Sequence, residues 1–210
     1  MDPSCSPGRR EARKADRRRT ILDVAERSFL ERGYADTSMS TIAAELGGSK
    51  TTLWSYFPSK EELFAAVLDS KIADFQQALD EALIPSGGTA AALSRFGRIL
   101  LRKVMTPASV ALHRLIVAEA GRFPTVGETF AKRGPDRVRA RLARYIADEM
   151  EAGRVRPGDP LVAARQFIAL CQAGCYPDRL WRTRELPLNL DDEVAVAVDS
   201  FMAAWAQTAA

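Results

Sequence analysis

Ser38-Met39-Ser40-Thr41-Ile42-Ala43-Ala44-Glu45-Leu46-Gly47-Gly48-Ser49-Lys50-Thr51-Thr52-Leu53-Trp54-Ser55-Tyr56-Phe57 reads as two short helices on a tight turn. Ser38 can offer its side-chain oxygen to the free N–H groups of the first turn. Ile42, Ala43 and Leu46 then fall on one face of the helix that follows. Gly47 and Gly48 break that helix, and without side chains they let the next one cross it closely. Ser49 caps a second helix running from Lys50 to Phe57. Leu53 and Phe57, four apart, point inward. Lys50, Thr51, Thr52, Trp54 and Ser55 then face outward, with Tyr56 at the flank. Two short helices joined through glycine, with basic residues nearby, describe a helix-turn-helix, whose second helix offers its free face to the DNA major groove.

The outward residue types suit that task. Lys50 can donate to guanine O6 or N7, or to a phosphate, and Thr51 and Thr52 offer a hydroxyl and a methyl that can meet a thymine methyl. Trp54 and Tyr56 each carry one polar hydrogen able to reach phosphate oxygens. Ser38 and Lys60 stand at helix N-termini, where backbone N–H groups already favour phosphate. Any one of these residues, taken alone, is also compatible with a solvated surface. An exposed tryptophan beside two threonines on so short a helix is harder to explain that way, because large exposed apolar surface marks interaction sites.

Working outward, Leu22, Ala25 and Phe29 repeat at helical spacing within a first helix from about Ala15 to Arg32, with Gly33 placed to end it. Pro58 and Ser59-Lys60-Glu61-Glu62 open a fourth helix that extends to about Leu83. Residues 1–14 read as a mobile basic arm carrying Arg9, Arg10, Arg13 and Lys14, and Arg17, Arg18 and Arg19 continue the charge into the first helix; such an arm is either a solvated tail or a contact to an adjacent groove or phosphate. Residues 1–60 hold 11 Lys and Arg against 8 Asp and Glu, while residues 61–210 hold 19 of each. The whole +3 excess therefore lies in the first 60 residues, as polyanion binding or chance clustering would place it. Beyond Pro85, helices are expected over 89–106, 108–121, 125–133, 135–152, 160–176 and 191–208, with a further short turn around Trp181. No stretch alternates long enough for a strand. The chain is expected to be all-α: a basic arm over 1–14, a three-helix DNA-binding domain over 15–64 and a larger helical ligand-binding and dimerisation domain over 65–210.

The run from Arg19 to Tyr34, the run from Thr37 to Gly47 and the run from Ser49 to Phe64 resemble, in order and spacing, the DNA-binding domain of the TetR family of transcriptional regulators. The likeness covers roughly residues 17–64. It implies a third helix in the major groove, phosphate contacts from Ser38, Trp54, Tyr56 and Lys60, and base contacts from Lys50, Thr51 and Thr52. Trp54 stands where the family more often has Tyr; its N–H can donate but not accept. Ile116-Val117-Ala118-Glu119-Ala120-Gly121-Arg122-Phe123-Pro124 more weakly resembles the AefR-like C-terminal subgroup. The resemblance implies a homodimer that binds a palindromic operator, acts as a repressor by family habit, and is released by a small-molecule inducer.

Helix 191–208 is apolar nearly all round, and helix 160–176 carries a stripe through Leu161, Ala164, Ile168, Cys171 and Cys175. Such helices are buried on more than one side. A dimer interface through Leu161, Ile168, Val194, Val198, Phe201 and Trp205 is expected, with ordinary core as the alternative. His113, Glu119, Arg122, Phe123, Phe167, Cys171 and Tyr176 are candidate pocket residues. Each also has a plain reading: a satisfied histidine, an i, i+3 ion pair between Glu119 and Arg122, core aromatics, and a buried cysteine pair rather than a redox sensor. One histidine and three cysteines fall short of a closed metal site and of a disulfide framework. No nucleophile–base signature or phosphate-cradling glycine loop is present. Neither an enzyme, a metal nor a cofactor is therefore expected, and a protein-binding helical scaffold is the remaining rival. No membrane span or signal peptide is seen, so the expected compartment is the cytoplasm.

Overall fold

The computed structural model describes residues 7–47, 50–84, 86–183 and 189–207. The capping expected of Ser49 and the turn role of Gly48 fall outside the described residues, as do Cys5 and residues 1–6 of the arm. The described chain is helical throughout: α1 (Pro7–Arg32), α2 (Met39–Glu45), α3 (Lys50–Tyr56), α4 (Lys60–Ala82), α5 (Gly88–Val104), α6 (Pro107–Glu119), α7 (Pro124–Arg133), α8 (Pro135–Glu151), α9 (Pro160–Gln172), α10 (Tyr176–Trp181) and α11 (Leu190–Trp205). An isolated bridge pairs Val155 with Ala206.

The chain forms two compact units, Met1–Lys71 with Leu115–Phe130, and Ile72–Arg114 with Ala131–Ala210. In the first, Ile21, Leu22, Ala25 and Phe29 of α1, Ile42 and Ala43 of α2 and Leu53 of α3 are all buried. Arg32 reaches Glu45 at 2.6 Å and fixes α2 against the end of α1. An aromatic cluster closes the unit. Phe29 stacks on Tyr34 at 5.7 Å between centroids and meets Phe64 edge-on at 5.2 Å, and Phe123 meets Tyr34 at 5.4 Å. Such pairs add about 0.5–1.5 kcal/mol each beyond their buried area. Phe123 and its neighbours thereby belong with the N-terminal helices. The expected division into 15–64 and 65–210 had placed them in the other domain.

Two helix boundaries also differ from expectation. α1 begins at Pro7, so residues 7–14 are helix rather than mobile arm. Between Gly8 and Gly33 the chain holds neither Gly nor Pro, and the basic stretch is rich in Arg, Lys, Glu and Ala, which favour helix. α9 ends at Gln172, and Tyr176–Trp181 forms a helix of its own with Cys175 at its N-cap and Pro177 in its first turn. Cys171 and Cys175 therefore do not share one helix.

The second unit is built on α5, α8, α9 and α11. Phe167 of α9 lies between Phe96 of α5 at 6.3 Å and Phe201 of α11 at 5.4 Å. Gly97 permits the close approach of these helices: a Cβ there would lie 3.0 Å from Val194 and 3.3 Å from the Cys171 sulfur. Val194, Val198, Phe201 and Trp205 are each 5% exposed or less and belong to this protomer's own core. These four of the six residues expected at the interface are thus spent inside the chain, while Leu161 is exposed and Ile168 half-buried. The large apolar side chains that α9 and α11 leave outside are Leu161, Val162, Leu170 and Val196, with Ala169, Ala195 and Ala203 also exposed.

Candidate functional site

On α3 the division of faces follows the apolar spacing. Leu53 and Phe57 are buried at 1% and 4% exposure, which pins the helix from one side. Thr51, Trp54 and Ser55 are exposed, and Thr52 and Tyr56 are half-buried. Trp54 keeps 38% of its surface in water, a large apolar area for a buried-core residue type. Ser55 turns its hydroxyl back onto the Thr52 carbonyl at 2.7 Å. Lys50 opens the helix; the base contact expected of its side chain falls outside the described residues. At α2, Ser38 is the N-cap, its oxygen accepting from the Thr41 N–H at 3.0 Å and pairing with the Thr41 hydroxyl at 2.7 Å. The array therefore presents hydroxyls, an indole and a phenol on two short helices held at fixed spacing, suited to groove edges and phosphates.

Lys60, expected on a phosphate, is occupied elsewhere. Its ammonium donates to the Tyr34 carbonyl at 2.8 Å and lies 4.2 Å above the Tyr34 ring. The same turn holds Glu119, whose Oε1 accepts from the backbone N–H of Tyr34 at 2.9 Å and of Ala35 at 3.2 Å. Gly33 makes room for it: at φ +84° the glycine adopts a conformation other residues resist, and a Cβ on it would stand 2.8 Å from that oxygen. The Tyr34 hydroxyl donates to Glu61 at 3.3 Å. Burial, with Glu61 beside it, holds this phenol well above its ordinary range. The α1–α2 turn is thus clamped by a cation from α4 and an anion from the end of α6.

The seven candidate pocket residues separate. Glu119, Arg122 and Phe123 lie in the first unit, where Arg122 extends over the Phe123 ring at 5.2 Å rather than pairing with Glu119. His113, Phe167, Cys171 and Tyr176 lie in the second. His113 Nδ1 is hydrogen-bonded to the Tyr176 hydroxyl and their rings stack at 5.6 Å. Burial lowers the His113 pKa, which favours the neutral ring, and raises that of Tyr176, which keeps its proton. Arg114 fastens α10 beside them, donating to the carbonyls of Leu180 at 2.7 Å and Arg179 at 2.9 Å. Tyr176 packs onto the core cluster that contains Phe167 and Cys171. Burial, with Cys175 adding to it, pushes the Cys171 thiol up to about 12, and burial also raises Cys175. Both are free thiols whose reactive thiolate form is disfavoured.

Two polar arrangements were not legible in the sequence. Tyr34 sits at the centre of the clamp, yet nothing local marks it beyond its position after Gly33. Glu149, 3% exposed, is held by a fork from Arg154 at 2.8 and 2.7 Å and by the Thr89 hydroxyl. The Arg154 bonds keep its carboxyl below the ordinary range against the effect of burial. An acid four turns into an amphipathic helix gives no sign of such a role.

Comparison with known proteins agrees with this architecture. Residues 21–67 match the family described as bacterial regulatory proteins, tetR family. Residues 91–207 match the C-terminal domain of AefR-like transcriptional repressors. The uncharacterised HTH-type transcriptional regulator YhgD of Bacillus subtilis is 26% identical over 83% of this chain and 88% of its own length. Among solved structures, the flavonoid-responsive regulator FrrA is 30% identical with a TM-score of 0.80, over 93% of this chain and all of that one. A TetR-family regulator from Mesorhizobium loti is 26% identical with a TM-score of 0.78, over 92% and 98%. With both its DNA-binding and its C-terminal segments matched in order, the chain belongs to the TetR family of transcriptional regulators, and its C-terminal domain is of the AefR-like kind.

Proposed function

We propose that this regulator is a cytoplasmic repressor that binds a palindromic operator as a homodimer and releases it when a small molecule enters the C-terminal unit. The observation that carries the reading is α3, pinned by Leu53 and Phe57 with Thr51, Trp54 and Ser55 left outside. Ser38, Thr52 and Tyr56 flank that face, and Lys50 completes it by resemblance. Lys60 contributes by fixing the Tyr34 turn rather than by holding phosphate. The second copy is proposed to seat on the exposed stripe of α9 and α11, through Leu161, Val162, Leu170 and Val196. Ile168, half-buried, borders that stripe.

The inducer is proposed to enter beside His113 and Tyr176, whose neutral hydrogen-bonding atoms would suit an uncharged aromatic hydroxyl. That FrrA is flavonoid-responsive supports an aromatic class. His113 and Glu119 share α6, six residues and about 9 Å of rise apart. A ligand that prefers one position of α6 would then act on the Glu119 clamp and so on the α1–α2 turn. Only a difference in affinity between the two positions is required.

The test is fluorescence anisotropy of the purified protein with DNA flanking its own gene, over a salt series, against a scrambled competitor. Tight binding that depends on a palindrome, with protomers bound in pairs and release by an added flavonoid, is expected. Binding blind to sequence at all salts would refute the operator reading.

A further inference from the structure

Two charges stand unexplained on the face that the second unit leaves open. On α9, Ala163, Ala164, Phe167 and Cys171 are buried, so Val162, Arg165, Ala169 and, at the C-cap, Ala173 line the outer side at helical spacing. On α11, Val194, Val198 and Phe201 face the core, and Asp192, Val196, Asp199 and Ala203 take the outer side. All of these outer residues are exposed. Asp192 belongs to the first turn of α11, where a carboxylate complements the helix N-terminus. Arg165 and Asp199 instead sit mid-helix among apolar and small residues. Among the described residues neither makes an ion pair. In water such charges cost nothing. On a face that a second copy covers, each would be buried without a partner, which is costly.

Their heights along the helices give them one. α9 and α11 run antiparallel: a Cβ on Gly174 would stand 2.7 Å from the Glu193 carboxylate, the Phe167 and Phe201 rings meet at 5.4 Å, and Trp205 donates to Gln166 at 2.8 Å. Measured from the level of the Phe167–Phe201 contact, Arg165 lies two residues to one side and Asp199 two residues to the other, about 3 Å each. That level also halves the exposed run from Leu161 to Ala173. In a two-fold contact every pairing occurs twice, residue i on j and j on i. With the axis across the helices at that level, Arg165 and the partner's Asp199 come to the same height. With the axis along the helices they stand about 6 Å apart in height, a gap that the long arginine side chain spans. Asp192 stays about 10 Å or more away in height in either arrangement.

We propose that Arg165 and Asp199 form two reciprocal ion pairs between two copies of this chain and fix the register in which their α9–α11 faces meet. The occupant is a second copy because the face is self-complementary, with a cation and an anion placed on either side of its middle. The proposal rests on the seating of the second copy proposed above and adds what selects that seating. An apolar face alone permits sliding, whereas a register that sets Arg165 on the partner's Arg165 is opposed by like charge.

The test uses three full-length variants: Arg165→Asp, Asp199→Arg and both changes together. Sedimentation measures how readily each dimer dissociates, with circular dichroism to confirm equal helix content. Each single variant sets two like-charge contacts across its own dimer and should dissociate about 100-fold more readily than the wild type. The double variant restores attraction in both contacts and should return to within about tenfold of the wild type. Mixing the two single variants is the sharper measurement. Both contacts in the mixed dimer again join an aspartate to an arginine, so differently tagged Arg165→Asp and Asp199→Arg chains should pair with each other in preference to themselves. Pairing of the two charges inside one chain would give no such preference. Absence of preferential mixed pairing, with the wild type dimeric, overturns the ion pairs and leaves the α9–α11 seating standing. A wild type that stays monomeric at all concentrations removes the seating as well.

Discussion

Replacing Gly33 by alanine tests the clamp on the α1–α2 turn more sharply than removing Glu119 alone. Gly33 has φ +84°, and a Cβ there meets Glu119 Oε1 at 2.8 Å. The carboxylate is the end of a flexible side chain, so it can withdraw, but it then loses the Tyr34 and Ala35 N–H groups it accepts from. Hydrogen bonds to a charged group contribute about 1.5–3 kcal/mol, and with the site half-buried about 2 kcal/mol is assigned to the pair. The left-handed conformation adds about 1 kcal/mol for a residue with a Cβ. Gly33→Ala should therefore destabilise by about 3 kcal/mol and Glu119→Ala by about 2. In the double variant the carboxylate is gone before the methyl can expel it. Its loss should be about 3 kcal/mol rather than the sum of about 5, a coupling of about −2 kcal/mol. Urea unfolding followed by circular dichroism gives all four stabilities, at one protein concentration because any self-association makes apparent stability depend on it. Additivity within about 0.5 kcal/mol would refute the clamp as the reason for glycine at this position.

Two further outcomes follow from the second unit. Leu170→Glu places a charge on the exposed face of α9, so the fold should survive while self-association weakens roughly 100-fold or more; a variant that sediments as a pair at wild-type concentrations removes that face from the interface. Glu149 has its carboxyl held low by Arg154 and Thr89, so its contribution is complete above the unfolded carboxylate value of roughly 4.3 and is lost as pH falls through the lower folded value. Glu149→Gln, already weaker at neutral pH, should lose less stability on further acidification than the wild type; thermal melts stepped downward from pH about 6 that show parallel curves would count against the assignment.

How far the sequence could be read depended on how local the physics was. The faces of α3 were legible because Leu53 and Phe57 lie four residues apart on one short helix, and burial of those two leaves Trp54 outside. The start of α1 was misplaced because Pro3, Pro7 and Gly8 made the whole basic stretch look like an arm, although Arg, Lys, Glu and Ala propagate a helix well once it is joined to a packed one. The apolar stripe of α11 was correctly seen as buried. A stripe cannot say whether its cover is the same chain or another, and here Phe167, itself packed on Phe96, reaches Phe201 first. The clamp was the least legible feature, because Glu119 and Tyr34 are 85 residues apart and no spacing on α6 encodes that meeting. Lys60 shows the same limit from the side of resemblance. Likeness to a family transfers a residue type to a position, but not its partner. The Lys60 ammonium lies 2.8 Å from the Tyr34 carbonyl and faces its ring, partners that no family likeness names. What the structure shows of this charge is the turn it holds.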